Sequence, residues 1–293
     1  MTSNARALAA LAGRAQEGWR PSHLGFLLPA LLILAVFFVY PVLGVAYRSI
    51  YRNGLTLEFY QKMFQSSVYV TVIWLTFRIA GLVTLSCLVL GYPLAYVLVG
   101  VRPRTARLLM AFVIFPFFTS VIVRTYSWMV LLGRNGVVNE YLLALGIARE
   151  PVAFLHNQTG VLIGMTYVLL PFMVLTLYGV MRNIDPNLVR VAHSMGATRF
   201  TAFRRVFLPL SLPGVVGGGL LVFILSLGFF ITPALMGGPS DVMIAMLIQR
   251  EVELTMNWSF ASALAVALLA LTLAGFLLGQ RVVGLGRLFG GKA

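Results

Sequence analysis

Six stretches of this chain contain no Asp, Glu, Lys or Arg: Leu24–Tyr47, Ile79–Val101, Leu108–Val123, Pro151–Met181, Val206–Ser240 and Leu254–Gln280. Crossing roughly 30 Å of hydrocarbon takes about 20 apolar residues at a rise of about 1.5 Å each. Leu108–Val123 is short and reaches that length by running past Arg124 towards Leu132. The runs are continuous rather than alternating, which selects helices over the strands of a barrel. The expected fold is therefore an all-α membrane protein with six transmembrane helices. Composition excludes a water-facing enzyme domain: 10% of the residues are charged, where a soluble domain carries roughly 25%.

The first run has a basic flank (Arg6, Arg14, Arg20) like that of a secretory signal. At 24 residues it is longer than the 7–15-residue apolar region (about that, typically) of a signal peptide, so it is expected to remain as a helix. Residues 1–23 are then a cytoplasmic tail, 24–285 the six-helix domain, and 286–293 a second cytoplasmic tail.

The chain has 22 Lys and Arg against eight Asp and Glu, a formal net charge of +14. With both termini inside the cell, the inner segments hold fourteen basic residues and only Glu17 and Asp185 as acids, while the outer loops hold seven basic residues and six acids. That bias is the positive-inside pattern of a membrane protein, so the charge does not call for a nucleic-acid partner.

Carriers driven by protons or sodium keep ionisable groups inside their helices. None of the eight acids lies in an apolar run here, and His23, His156 and His193 fall at run ends or in loops. The chain also lacks HExxH, GxSxG and paired carboxylates at membrane depth, so it is not expected to be an enzyme. The single cysteine, Cys87, excludes a disulfide framework and a cysteine metal site. Gly286 to Lys292 matches the start of a phosphate-binding loop, but Ala293 stands where Ser or Thr must hold Mg²⁺.

The most informative segment joins the fourth and fifth runs. Asp185-Pro186 is a helix start, with Asp as N-cap and Pro in the first turn. Leu188, Val191, Ala192 and Met195 recur at helical spacing as one apolar stripe. Gly196 stops that helix as a left-handed C-cap. After Ala197, Thr198 caps a second helix in which Phe200, Phe203 and Phe207 repeat, and Leu208-Pro209 is expected to end the segment. Three uses fit such a helix–turn–helix: packing on the protein's own helix ends, reading DNA, or docking into a groove of a soluble partner. Tethering at both ends by membrane spans leaves little reach to a duplex.

The run from Leu188 to Thr198, continuing to Leu208-Pro209-Leu210, resembles the "EAA" loop of binding-protein-dependent ABC transporter permeases. Ala192, Gly196 and Pro209 match the pattern, whereas Arg190 stands in place of its Glu and Val191 in place of its middle Ala. Four further segments resemble the spermidine/putrescine-type branch of that family: Leu90-Gly-Tyr-Pro-Leu-Ala-Tyr96, Phe115-Pro-Phe-Phe-Thr-Ser120 with Arg124, Tyr126, Ser127 and Trp128, Leu169-Leu-Pro-Phe-Met-Val174 and Leu235-Met-Gly-Gly-Pro239.

The resemblance implies one of two pore-forming subunits of an ATP-driven importer in the bacterial inner membrane. Its partners would be a second permease subunit, two ATP-binding subunits that carry the ATP and Mg²⁺, a periplasmic substrate-binding protein, and lipid. No cofactor is expected in this chain. The coupling residues would be Leu188, Arg190, Val191, Ala192, Met195, Gly196, Ala197, Thr198, Phe200, Phe203 and Pro209. Candidates for the translocation pathway are Arg78, Arg124, Tyr126, Trp128, Tyr167 and Thr232. Arg78 would lie in a polar cavity or snorkel to the outer edge. Arg124, Tyr126 and Trp128 equally suit an interfacial belt, and Tyr167 and Thr232 equally suit packing. A polyamine is the first expected cargo, with an opine or another small polar solute as the alternative. The competing class is a self-sufficient secondary carrier or channel.

Overall fold

The computed structural model describes residues 21–51 and 54–283, with side chains over 28–51 and 54–277. The tail expected at 1–23 lies almost wholly outside these residues, and the 286–293 tail with its loop-like motif lies wholly outside. Among the described residues there are helices and one isolated bridge, Tyr51 to Leu55, but no strand.

The helices are α1 (Pro21–Leu34), joined by a π turn (Ala35–Val39) to α2 (Tyr40–Ile50); α3 (Glu58–Gln65); α4 (Ser67–Gly100); α5 (Pro103–Ile114); α6 (Val121–Leu132); α7 (Val137–Ala144); α8 (Gln158–Arg182); α9 (Pro186–Ser194); α10 (Arg199–Ala202), joined by a π turn (Phe203–Phe207) to α11 (Leu208–Leu227); α12 (Ile231–Met236); α13 (Ile244–Glu253); and α14 (Trp258–Val283). Among the described residues, five helical stretches are long and apolar enough to span a membrane: Leu28–Ile50, Ser67–Gly100, Gln158–Arg182, Arg199–Leu227 and Trp258–Leu277. The expected third span is not one straight helix. It is broken between Phe118 and Val121 with a bend of 102°, so the count reaches six only if the bent pair is taken together. Pro116 explains the break. It sits in a 3₁₀ turn (Phe115–Phe118), and Thr119 turns back to donate both its N–H and its hydroxyl to the Pro116 carbonyl.

Two other boundaries differ from the uncharged runs. The fourth span starts at Gln158, not Pro151, because Asn157 is the N-cap and its side chain accepts from Gly160 N–H at 3.1 Å. The fifth ends at Leu227, and residues up to Ser240 form the short α12 and turns. Lack of charge marks apolar surroundings, not helical continuity.

The core is a three-helix unit. Cys87 Sγ approaches the Thr166 carbonyl at 3.6 Å, and a Cβ at Gly91 would meet Met173, so α4 and α8 run parallel. A Cβ at Gly214 would meet Val180 and one at Gly218 would lie 2.9 Å from Met173 Sδ, so α11 runs antiparallel against α8 with small residues at the seam. Met165, Leu169, Met173, Leu177 and Met181 form the fully buried ridge of α8. A second cluster gathers Phe59 and Met63 of α3 around Phe260, Leu264 and Ala267 of α14. By contrast, the best apolar window of Leu28–Ile50 has no buried residue, which suits a lipid- or partner-covered helix.

The two ends of the unit differ in charge. Arg102, Arg104, Arg107, Arg182, Arg190, Arg199, Arg204 and Arg205 cluster at the end where α4 and α8 finish, with Asp185 as the single acid there among the described residues. The opposite end is close to balanced, with Glu58, Glu140, Glu150, Asp241, Glu251 and Glu253 set among Arg48, Lys62, Arg134, Arg149 and Arg250.

Candidate functional site: a projecting helix pair and a polar pathway

At the basic end, α8 passes into α9 through a capped turn. Asp185 Oδ1 accepts from Asn187 N–H at 2.9 Å, and Pro186 fills the first turn. The far end of α9 closes as a Schellman motif: Ala197 N–H donates to Ala192 O at 3.0 Å and Gly196 N–H to His193 O at 2.9 Å. Gly196 has φ +84°, the left-handed region a side chain disfavours. Thr198 Oγ1 then accepts from Thr201 N–H at 3.2 Å and starts α10. His193 also bonds the Ala197 carbonyl through Nδ1 at 2.9 Å, and these local bonds make the pair a stiff knob.

That knob presents apolar side chains outward. Met195 is 83% exposed, Phe200 71%, Val191 56% and Leu188 46%. Ala192 is half-buried, and Val189, one residue out of the expected stripe, packs against the core. Arg190, at the position of the family Glu, donates to Asn187 Oδ1 at 3.1 Å on its own helix. The second half of the expected stripe turns inward. Phe203 meets the edges of Tyr92 and Tyr96, ring centroids at 6.2 and 5.5 Å, and Phe207 meets Tyr96 at 5.0 Å. The knob is thereby fixed to α4.

Pro209 does not end this segment, contrary to the sequence expectation. The helix runs on from Arg199 to Leu227. Proline has no N–H to offer the preceding turn. The π turn just before it shifts the pairing, so that Leu208 N–H donates to Phe203 O and the ring enters without a break.

The pathway candidates separate into groups. Trp128 of α6 and Tyr167 of α8 pack edge to face at 5.3 Å. They wall a cavity of about 340 Å³ with Ser86, Leu90, Thr166 and Leu170. Thr166 Oγ1 is buried without a hydrogen-bond partner, whereas Thr76, Thr84, Thr176 and Ser226 all bond back to a carbonyl one turn earlier. Ser86 and Thr166 were missed from sequence; their signal is small polar residues one helical turn from Leu90 and Leu170 on the same faces. Thr232 is fully buried, and its hydroxyl lies 3.2 Å from that of Thr125. Tyr126 is exposed on the other side of α6. Arg78 lies about three turns into α4, yet its Nη2 donates at 2.5 Å to Gln158, the first residue of α8. Its exposed guanidinium therefore stands level with the end of α8 furthest from the basic loops, the edge position of the two considered. No group of three or more metal-ligating side chains occurs among the described residues.

Long apolar helices with a stiff helix pair set between two of them define a multi-span membrane protein with a projecting element. Residues 87–284 match the family described as "Binding-protein-dependent transport system inner membrane component". The chain belongs to that family and is a multi-pass protein of the inner membrane. It is 36% identical over 245 residues to the spermidine/putrescine transport system permease protein PotB of Haemophilus influenzae, covering 84% of each chain. It is 34% identical over 220 residues to PotB of Escherichia coli K12, covering 75% of this chain and 80% of that one. The fold is similar to a chain of the bacterial alginate ABC transporter crystallised with an alginate-bound periplasmic protein. There the TM-score is 0.71 at 21% identity, covering 88% of this chain and 92% of that one.

Proposed function

We propose that this chain is a pore-forming permease subunit that imports a polyamine, spermidine or putrescine, from periplasm to cytoplasm at the expense of ATP hydrolysed by other subunits. The observation that carries the reading is the exposed apolar face of Val191, Met195 and Phe200 on a knob locked to the spans by Phe203 and Phe207. Exposed apolar residues on a rigid element are suited to burial in a partner's groove. A stiff anchor lets a displacement of that groove reach α4 and α11.

In this reading the basic end faces the cytoplasm, as the positive-inside rule requires, and two ATPase subunits bind there. A second permease subunit completes the pore, and a binding protein delivers cargo at the opposite end. Two features support the cargo. The curated relatives named above transport polyamines by name. The Trp128–Tyr167 wall with its hydroxyls also offers aromatic faces to an alkyl-ammonium chain. The five continuous spans hold no Asp or Glu, so they offer no acid through which an ion gradient could be coupled.

The test is reconstitution in liposomes. With the ATPase pair, the second permease and the binding protein, ATP should drive accumulation of labelled spermidine or putrescine. The single chain should concentrate nothing under a proton or sodium gradient. Gradient-driven accumulation by the chain alone would overturn the reading, and ATP-driven uptake restricted to other solutes would overturn the cargo.

A further inference from the structure

Arg124 is 8% exposed, and its Nε and Nη1 are buried with no hydrogen-bond partner. A guanidinium stays charged in a protein, and its donors point outward in a plane. Leaving it unpaired in a buried place is strongly unfavourable. The five continuous spans hold no Asp or Glu that could meet it.

Its position sharpens the point. Arg124 is the fourth residue of α6, in the first turn after the 102° bend. The N-cap, Ser120, makes no side-chain capping bond, so the N–H groups of Val121, Ile122 and Val123 lack partners within the helix. A helical side chain leans towards the N-terminus, which brings the Arg124 chain over this same turn. A cation at the positive end of a helix is unfavourable, whereas an anion there is favoured twice over. One face of the turn, that of Arg124 and Thr125, is inside the bundle while Ile122 and Val123 face outward: Thr125 bonds Thr232, and a Cβ at Gly164, in the second turn of α8, would lie 2.5 Å from Thr232. Open backbone at such depth persists only where protein covers it or a polar cavity meets it.

We infer that Arg124 and the first turn of α6 form a receptor for a carboxylate that none of the described residues of this chain supplies. Carboxylate geometry matches either fork of a guanidinium, in which Nη2 is paired with Nε or with Nη1, so one carboxylate reaches one of the two orphaned donors bidentately. The inference rests on the polyamine reading for its source. Trp128 follows Arg124 by one turn on the same face and walls the cavity, so an unpaired guanidinium there would repel a polycation. A carboxylate from the second permease subunit neutralises it and leaves oxygen lone pairs for a passing ammonium. A carboxylate of the solute itself is the other source of the same chemistry.

The experiment uses the complete transporter in liposomes, with Arg124→Gln and Arg124→Lys in this chain. Arg124→Gln is expected to lower putrescine uptake about tenfold or more, with partial recovery in Arg124→Lys, as for one partner lost from a buried ion pair. Arg124→Glu combined with Asp→Arg or Glu→Arg substitutions at pore-facing acids of the second permease should restore uptake in one combination, which assigns the source to that subunit. A transporter that prefers ornithine, the carboxylated counterpart of putrescine, and loses that preference in Arg124→Gln with subunits still co-purifying places the carboxylate on the solute. That result keeps the receptor and removes the polyamine reading. Unchanged uptake and preference in Arg124→Gln would overturn the receptor. Should the variants fail to assemble, an electron-microscopy map of the unsubstituted transporter decides: a carboxylate oxygen on the guanidinium upholds it, and only carbonyls, water or lipid phosphate there overturns it.

Discussion

Tyr92 and Ser211, 119 residues apart in the chain, share a hydroxyl–hydroxyl hydrogen bond of 2.8 Å. The bond joins α4 to the first turn of α11, directly beside the stack of Phe203 and Phe207 on Tyr96. Ser211 also donates to Leu208 O at 2.9 Å, so the junction between knob and span is tied by polar and aromatic contacts together. Whatever force acts on α9 and α10 is delivered here.

Removing the aromatic part of that junction should loosen it. Phe207 is buried, and Phe207→Ala is expected to destabilise the chain by about 3–5 kcal/mol, while Tyr92→Phe should cost about 1 kcal/mol. Thermal unfolding of the detergent-solubilised protein measures both. In the assembled transporter, Phe207→Ala should hydrolyse ATP with less solute moved per ATP.

Gly196 tests the turn. A Cβ there meets nothing within 4 Å, so the obstacle is the positive φ of +84° alone. A β-branched residue strains such a backbone by about 1–3 kcal/mol. Gly196→Val should therefore reach the membrane in normal amount and show reduced ATP-driven uptake. Unchanged uptake at equal membrane abundance would count against the coupling role of the turn.

Met195 and Phe200 test the docking face. Both point to solvent, so Met195→Asp with Phe200→Asp should leave the unfolding temperature within a few degrees, as surface changes usually do. Co-purification of the ATPase subunits should fall by at least about tenfold, because burying two carboxylates in an apolar groove is unfavourable. Retention of the ATPase at wild-type level would sink the docking assignment.

Two glycines make a matched pair. At Gly164 a Cβ would lie 2.5 Å from Thr232 Cγ2 and 2.7 Å from Met236 Sδ, so Gly164→Ala should push α12 away from α8 and cost about 1–3 kcal/mol. At Gly275 nothing lies within 4 Å. Gly275→Ala should be neutral or stabilising by up to about 1 kcal/mol through helix propensity. Both are read from unfolding curves in the same detergent.

Gly275 also shows where sequence reading stops. Gly160 and Gly164, Gly214 and Gly218, and Gly275 and Gly279 share one spacing and look alike as text. The first two pairs sit at helix seams, Gly275 faces open space, and the Gly279 side-chain position lies outside the described residues. Likewise Phe200 and Phe203 belong to one apolar stripe, yet the first is exposed and the second packs on α4. Periodicity tells which residues share a face; it does not tell what stands opposite.

Hydrophobic run length, basic-residue bias and capping chemistry are local properties, so the amino-acid order alone determined the membrane class, the helix–Gly turn–helix at 185–202, and the cap roles of Asp185, Gly196 and Thr198. The folded structure decided the rest: the bend at Pro116, the continuity of the helix through Pro209, the edge position of Arg78, and the burial of Arg124 without an anion. The two prolines are settled by which turn forms around them, a 3₁₀ turn at Pro116 and a π turn before Pro209, whereas the two arginines are settled by groups far apart in the chain meeting in space, which no short window of sequence contains.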